Sequence, residues 1–458
     1  MNIDMKLQGA HVKNLRVIES GQKLGSSSLK DTAIAEIGRE ISFDTEALNA
    51  FDIRGCQPHH YDLLVLSAAI EFADRKWKRP KSWVRNFHVT IPVVDLANWR
   101  RPLVINTLER VLKHLTCDLW QFNFVQAKSL SPIGSRQIHF DFGKNKALAI
   151  AYSDGLDSRA VSALCGDINE VLCIRVAKKR QRRKEGDSPF SQLPFEVKGH
   201  RGEESSFRSR GFQFAAVTAI ASQLANVERI VVPESGQGAL SPVLAPLYVT
   251  YPDYRNHPTF FRKMEQFIAA VLGHRVKFEQ PRLWFTKGQT LREFLGLQGK
   301  TSKHLESTRS CWQKRRVVNV PGKKQCGLCA ACLLRRLSLH AAGVNDAPNN
   351  YVVSNLGASD VIKALDSVSR KADRELMINY GSVGARHFQK LANMANWTDD
   401  DLRVHVSEIS TALGADYKET LKNLRSLLAT HAEEWHSFVA VQGRDSFLMS
   451  WTQGERYG

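Results

Sequence analysis

Three apolar runs constrain this chain most: "ALAIAY" (147–152), "EVLCIRV" (170–176) and "VERIVVP" (227–233). They do not alternate with polar residues, as expected of strands covered on both faces. Helical patterns such as "GFQFAAVTAIASQLA" separate them. Alternating strands and helices predict an α/β fold built on a doubly wound parallel sheet, with ligands outside the carboxyl ends of the strands.

At the first such end stands "SDGLDS", residues 153–158. A tight turn into a helix presents backbone N–H groups to an anion, and the helix dipole adds positive potential. Gly155 lets backbone approach a phosphate. Ser153 and Ser158 offer hydroxyls, and Asp157 suits either Mg²⁺ or the start of the helix. Asp154 is out of place, because a carboxylate within about 4 Å of a phosphate repels it by about 4 kcal/mol at an effective dielectric near 20. Either its side chain points away, or it holds Mg²⁺, or the loop no longer takes ATP.

The rest of the chain divides by texture. Residues 1 to about 25 read as a loose arm. The remainder of 1–145 mixes helices ("YDLLVLSAAIEFADRKW", "VINTLERVLKHL") with alternating strands ("VRNFHVTIPVV", "WQFNF", "IHFDF"), an α+β unit. Residues 146–340 hold the parallel sheet. Residues 341–458 read as a helical C-terminal unit. Val361, Leu365, Val368, Ala372 and Leu376 share one stripe, Thr398 caps a helix, and Tyr417, Leu421, Leu424 and Leu428 share another stripe. The net charge of +18 favours polyanions and leaves nucleic acid open as a ligand. "KKRQRRK" (178–184) has no aromatic interleaved, so it reads first as a solvated loop. The first 21 residues lack the apolar core of a signal peptide, and no apolar stretch is long enough to span a bilayer. A soluble cytoplasmic protein with no membrane partner is expected.

Cys311, Cys326, Cys329 and Cys332 are separated by 14, 2 and 2 residues. Four thiolates so spaced can close a tetrahedral Zn²⁺ site, structural rather than catalytic. An iron–sulfur cluster is the weaker alternative. Cys56, Cys117, Cys165 and Cys173 sit in apolar contexts and read as packing residues.

A phosphate loop followed about 150 residues later by this cysteine spacing resembles the 7-cyano-7-deazaguanine synthase (QueC) family of PP-loop enzymes. That family's loop is S-G-G-x-D-S, and "SDGLDS" departs from it only at Asp154. The segment "SCWQKRRVVNVPGKKQCGLCAACLLRR" is similar to the family's zinc segment, "TYPDYRNHPTF" to its tyrosine–proline–aspartate–x–arginine stretch, and "LWFTKGQ" to its threonine–lysine stretch. The resemblance spans roughly 146–340. The enlarged chain looks most like the QueC-like components of bacterial anti-phage systems (QatC-like). The resemblance implies a PP-loop ATP pyrophosphatase fold, ATP with Mg²⁺, structural zinc, and 7-carboxy-7-deazaguanine as substrate. It implies adenylation of the substrate carboxylate, then transfer to ammonia or to an amine on a partner protein. Ser153, Asp154, Gly155, Asp157 and Ser158 would then lie at ATP. Lys287 and Arg210 would offset developing charge, and Asp253 with Arg255 would meet the base. Two other readings stay open: a degenerate loop in a zinc protein that only binds nucleotide or nucleic acid, and an adenylating enzyme acting on tRNA.

Overall fold

The structure, a computed structural model, describes residues 12–22, 31–49, 51, 55–128, 145–178, 187–199, 204–246, 250–312, 324–365, 368 and 371–453. Its strands are β1 (Val12–Ile18), β2 (Thr32–Glu36), β3 (Ile41–Phe43), β4 (Asn86–Val93), β5 (Leu119–Gln126), β6 (Leu148–Ala151), β7 (Val171–Ala177), β8 (Phe190–Val197), β9 (Arg229–Val231) and β10 (Lys277–Glu279). The longer helices are α1 (Pro58–Lys76), α2 (Pro102–Thr116), α3 (Leu156–Leu164), α4 (Arg210–Leu224), α5 (Pro258–Leu272), α6 (Lys287–Gly296), α7 (Ala330–Ala341), α8 (Lys371–Asn393), α9 (Asp399–Leu413) and α10 (Tyr417–Ala440).

The second sheet has the order β10-β9-β6-β7-β8-β3, parallel except at β3. Winding runs outward from β6 through β7 to β8, then returns to β9 and β10. This is the expected doubly wound α/β architecture, with its switch point between β6 and β9.

The first sheet corrects two expectations. Its order is β2-β1-β4-β5, every pairing is parallel, and α1 and α2 make the crossovers, so the N-terminal unit is α/β rather than α+β. Residues 12–18, read as part of a loose arm, form an inner strand of it. "IHFDF" lies outside the described residues, as does "KKRQRRK" beyond Lys178. In the C-terminal unit, the single helix expected over 361–376 is a short turn, Val361–Ala364, followed by α8 from Lys371. Leu376 of the expected stripe is exposed. Thr398 caps α9 as expected, its Oγ accepting the Asp401 N–H.

The two sheets do not have separate cores. Helix α1 is buried almost all round and packs against β4 on one side and α4 on the other. One apolar cluster joins Leu15, Val89 and Phe124 of the first sheet to Ala149, Ile174 and Phe195 of the second. The C-terminal helices close a further cluster in which Leu402, Val406, Leu424 and Leu427 cover Ala239, Leu240 and Leu244. Both added units therefore reach the parallel-sheet domain. Among the described residues no helix is long and apolar enough to cross a membrane.

Candidate active site

Strand β6 ends at Ala151, and the chain turns into α3 with Gly155 as the residue before the helix. Ser158 Oγ accepts the Ser153 N–H at 3.1 Å and lies 2.8 Å from Ser153 Oγ; Gly155 N–H donates to Ser153 Oγ at 3.2 Å. The two serines thus tie the loop shut. The first N–H groups of α3 have no partner within the helix and remain donors for an anion.

Asp154 does not confront that anion site with a bare charge. Its Oδ2 pairs with Arg175 Nη2 of β7 at 2.6 Å, and the guanidinium lies 5.0 Å from the centre of the Phe190 ring. The Asp154 carbonyl accepts the Arg309 N–H at 2.8 Å, which joins the loop to the segment leading to Cys311.

Lys287, the first residue of α6, is buried against Asp157. Its Nζ also lies 3.7 Å from Glu234 Oε1, just beyond β9. Burial pushes the Glu234 pKa up, and the Asp157 carboxylate adds to it, because two acids share one lysine. Burial opposes the Lys287 charge, but Asp157 and Glu234 hold its pKa above the ordinary lysine value. The trio stands at the switch point, where the start of α3 after β6, the segment beyond β9 and the start of α6 meet. Asp157 Oδ1 and Ser235 Oγ are buried with no hydrogen-bond partner among the described residues. Orphaned buried polar atoms at such a place fit a bound polar ligand. ATP with Mg²⁺ suits this set: loop N–H groups and Lys287 for phosphate, the carboxylates for a cation.

A second group adjoins the first. Arg255 donates to both Asp253 oxygens at 2.9 Å from Nε, and Arg208 Nη1 lies 3.5 Å from Asp253. Burial opposes the Asp253 charge, yet Arg255 and Arg208 hold its pKa below the usual carboxylate range. Asn256 Nδ2 donates to Glu234 at 3.1 Å, so the two groups are continuous. Arg210 is exposed at the start of α4, over Phe214, with no ion pair among the described residues. Asp253 and Arg255 thus satisfy one another, while Arg210 pairs with no carboxylate among the described residues.

Sequence reasoning missed Glu234 and Arg208. Glu234 had a signal, since "VVPES" ends a strand of the parallel sheet. Arg208 had none, because the Trp83 ring on which it lies, 5.0 Å away, comes from the N-terminal unit.

The four cysteines converge as expected. Their sulfurs all lie within 4.8 Å of one another, and Cys326 and Cys332 Sγ are 3.7 Å apart. Tetrahedral Zn–S bonds of about 2.3 Å put sulfurs about 3.8 Å apart, so the donor set fits zinc. Gly327 makes the turn: its φ is +86°, and a Cβ there would lie 2.4 Å from the Val353 carbonyl oxygen. Gln325 Oε1 accepts the Ser310 and Cys311 N–H groups at 2.8 and 3.1 Å, fixing the distant ligand beside the other three.

Residues 240–343 match the family model described as "Queuosine biosynthesis protein QueC". This segment is QueC-like. The match points to an ATP-using PP-loop enzyme related to 7-cyano-7-deazaguanine synthesis. It contains Asp253, Arg255, Lys287 and all four cysteines, while the 153–158 loop, Arg210 and Glu234 precede it. No curated protein and no solved structure matches the chain.

Proposed function

We propose that the protein uses ATP to adenylate 7-carboxy-7-deazaguanine and passes the activated acyl group to an amine. The observation that carries this reading is the meeting of the 153–158 loop with Lys287, Asp157 and Glu234 at the switch point. Ser153, Gly155, Ser158 and the start of α3 hold pyrophosphate, with Asp154 kept aside by Arg175. Asp157 and Glu234 would hold the Mg²⁺ that accompanies ATP, which would offset the phosphate charge. A substrate carboxylate oxygen attacks the α-phosphorus as the bond to pyrophosphate breaks; Lys287 is placed to neutralise the charge leaving with pyrophosphate. The amine nitrogen then attacks the acyl carbon, AMP departs with the bonding pair, and the nitrogen loses a proton. Asp253, Arg208 and Arg255 border the base, and Arg210 offsets the carboxylate. The four cysteines would hold zinc, which would serve a structural role.

With ammonia the product is an amide, and a further ATP-dependent dehydration gives the nitrile. Only the size of the chain favours a protein amine as acceptor, in an anti-phage setting. The packing of both added units against the site domain supports an internal role for them, so ammonia is the first acceptor to test. The Asp154–Arg175 pair likewise argues against a degenerate loop. The test incubates zinc-replete protein with ATP, Mg²⁺ and 7-carboxy-7-deazaguanine, with and without ammonia, and follows AMP and the mass of the base. Substrate-dependent AMP that disappears in Lys287→Met supports the proposal. No AMP under any of these conditions would overturn it.

A further inference from the structure

Helix α10 lies outside the QueC-like match, yet two of its side chains reach the start of the lysine helix. Glu434 and His431 are three residues apart and share a helix face. Glu434 Oε1 accepts the Thr286 hydroxyl at 2.8 Å. Thr286 caps α6: its Oγ accepts the Gln289 N–H at 3.0 Å, and Gln289 Oε1 accepts the Thr286 N–H at 2.8 Å. His431 Nδ1 lies 2.9 Å from Gln237 Nε2, and Gln237 Oε1 accepts the Lys287 N–H at 2.8 Å. The other imidazole nitrogen is 3.0 Å from the Phe388 carbonyl. A neutral ring protonated at Nε2 satisfies both contacts, donating to Phe388 and accepting from Gln237. Gly288 makes the approach sterically feasible, since a Cβ there would lie 2.7 Å from Glu434 Oε1 and 2.6 Å from the Ala341 Cβ.

We propose that the C-terminal helical unit positions Lys287, with Glu434 acting through Thr286 and His431 acting through Gln237. Neither residue touches the proposed reactants; each fixes the backbone from which the lysine reaches Asp157 and Glu234. The proposal rests on the reading that Lys287 serves the ATP site. It assigns a role to a segment whose helical stripes alone indicate only packing.

The experiment uses full-length, zinc-replete protein as wild type, Glu434→Ala, Glu434→Gln, His431→Ala and Leu424→Ala. Leu424 is buried in the same helix about three turns from Glu434, and its truncation serves as a control for loss of stability alone. One readout is the rate at which an N-hydroxysuccinimide ester acylates Lys287, resolved by peptide mass spectrometry. The other is kcat and KM for ATP in the AMP assay. Glu434→Ala and His431→Ala should label Lys287 several-fold faster, leave other lysines unchanged, and lower kcat roughly tenfold with KM for ATP little altered. Glu434→Gln, which keeps an acceptor for Thr286, should restore both readouts. Unchanged Lys287 labelling in both alanine variants, or an equal effect in Leu424→Ala, overturns the proposal. If wild type forms no AMP, the adenylation reading fails, and the labelling arm alone decides whether α10 positions the lysine.

Discussion

Asp154 is the residue at which the 153–158 loop departs from the pattern expected of a phosphate loop, and its pairing with Arg175 would make an acid there compatible with ATP. A carboxylate about 4 Å from a phosphate charge costs about 4 kcal/mol at an effective dielectric near 20. The Asp154 side chain retains 26% exposure, so solvent and salt screen part of that cost. Removing Arg175 should therefore weaken ATP binding by about 2–4 kcal/mol, roughly 30- to 1,000-fold. Titration calorimetry with Mg-ATP on Arg175→Ala, Asp154→Gly and the double variant measures this directly. Arg175→Ala should bind far more weakly, Asp154→Gly close to wild type, and the double variant should recover most of the loss. The deficit of Arg175→Ala should also shrink at high salt, because a partly exposed charge is involved. Wild-type affinity in Arg175→Ala, or a double variant no better than Arg175→Ala, would refute the pairing as the reason the loop accepts an acid.

The remaining expectations concern the metal and proton linkage. Metal analysis should find one zinc per chain, and Cys329→Ser or a strong chelator should lower the melting temperature. Either change should also weaken ATP binding, because the Arg309 N–H holds the Asp154 carbonyl from the segment leading to Cys311. Burial pushes the His431 pKa down to about 4 from 6.5. Below pH 6.5 the unfolded chain takes up a proton that the folded chain resists. The contribution of neutral His431 is thus complete above that pH and is lost as pH falls toward 4, at up to about 1.4 kcal/mol per unit. Melting curves from pH 7.5 to 4.5 should show a shallower decline in His431→Gln; an identical decline would remove His431 from the linkage.

The parallel-sheet domain was legible because its strands are continuous apolar runs, and such runs have few alternative placements. The cysteines were legible because spacing alone restricts their chemistry. The N-terminal sheet misled for a physical reason. Only one of its faces is covered by α1 and α2, so its strands alternate: Phe87, Val89 and Ile91 are buried while His88 is exposed. Alternation usually marks antiparallel sheets, and although both crossover helices were readable, nothing local records that the strands they join run parallel. Strand β1 was hidden by the polar residues Lys13, Asn14 and Arg16 within "VKNLRVI". At the site, residues near the loop and its motifs were readable, whereas Glu234, Arg208, His431 and Glu434 depend on contacts between distant segments. His431 and Glu434 lie 194 and 148 residues from the partners they hold.

The N-terminal unit acts on the other wall of the site as α10 acts on Lys287. Asp74, fully buried at the end of α1, pairs with Arg85 at 2.6 Å and Arg79 at 3.3 Å, and accepts the Ser209 N–H at 2.8 Å. Despite burial, Arg85 and Arg79 hold its pKa below the usual carboxylate value. Asp118 completes the group, and Arg79 lies under the Trp83 ring that also carries Arg208. The segment 207–210 is therefore anchored by charge and ring contacts from outside the parallel-sheet domain. Asp74→Ala strands two buried guanidinium groups on one acid and should destabilise the fold by about 3–5 kcal/mol. Asp74→Asn keeps an acceptor for Ser209 and should lose less stability. In a chain that remains folded, Asp74→Asn should raise KM for the base substrate more than KM for ATP, because Arg208 borders Asp253 rather than the phosphate loop. Equal changes in both constants would mean that the network supports the domain as a whole and does not specifically orient the Arg208 wall.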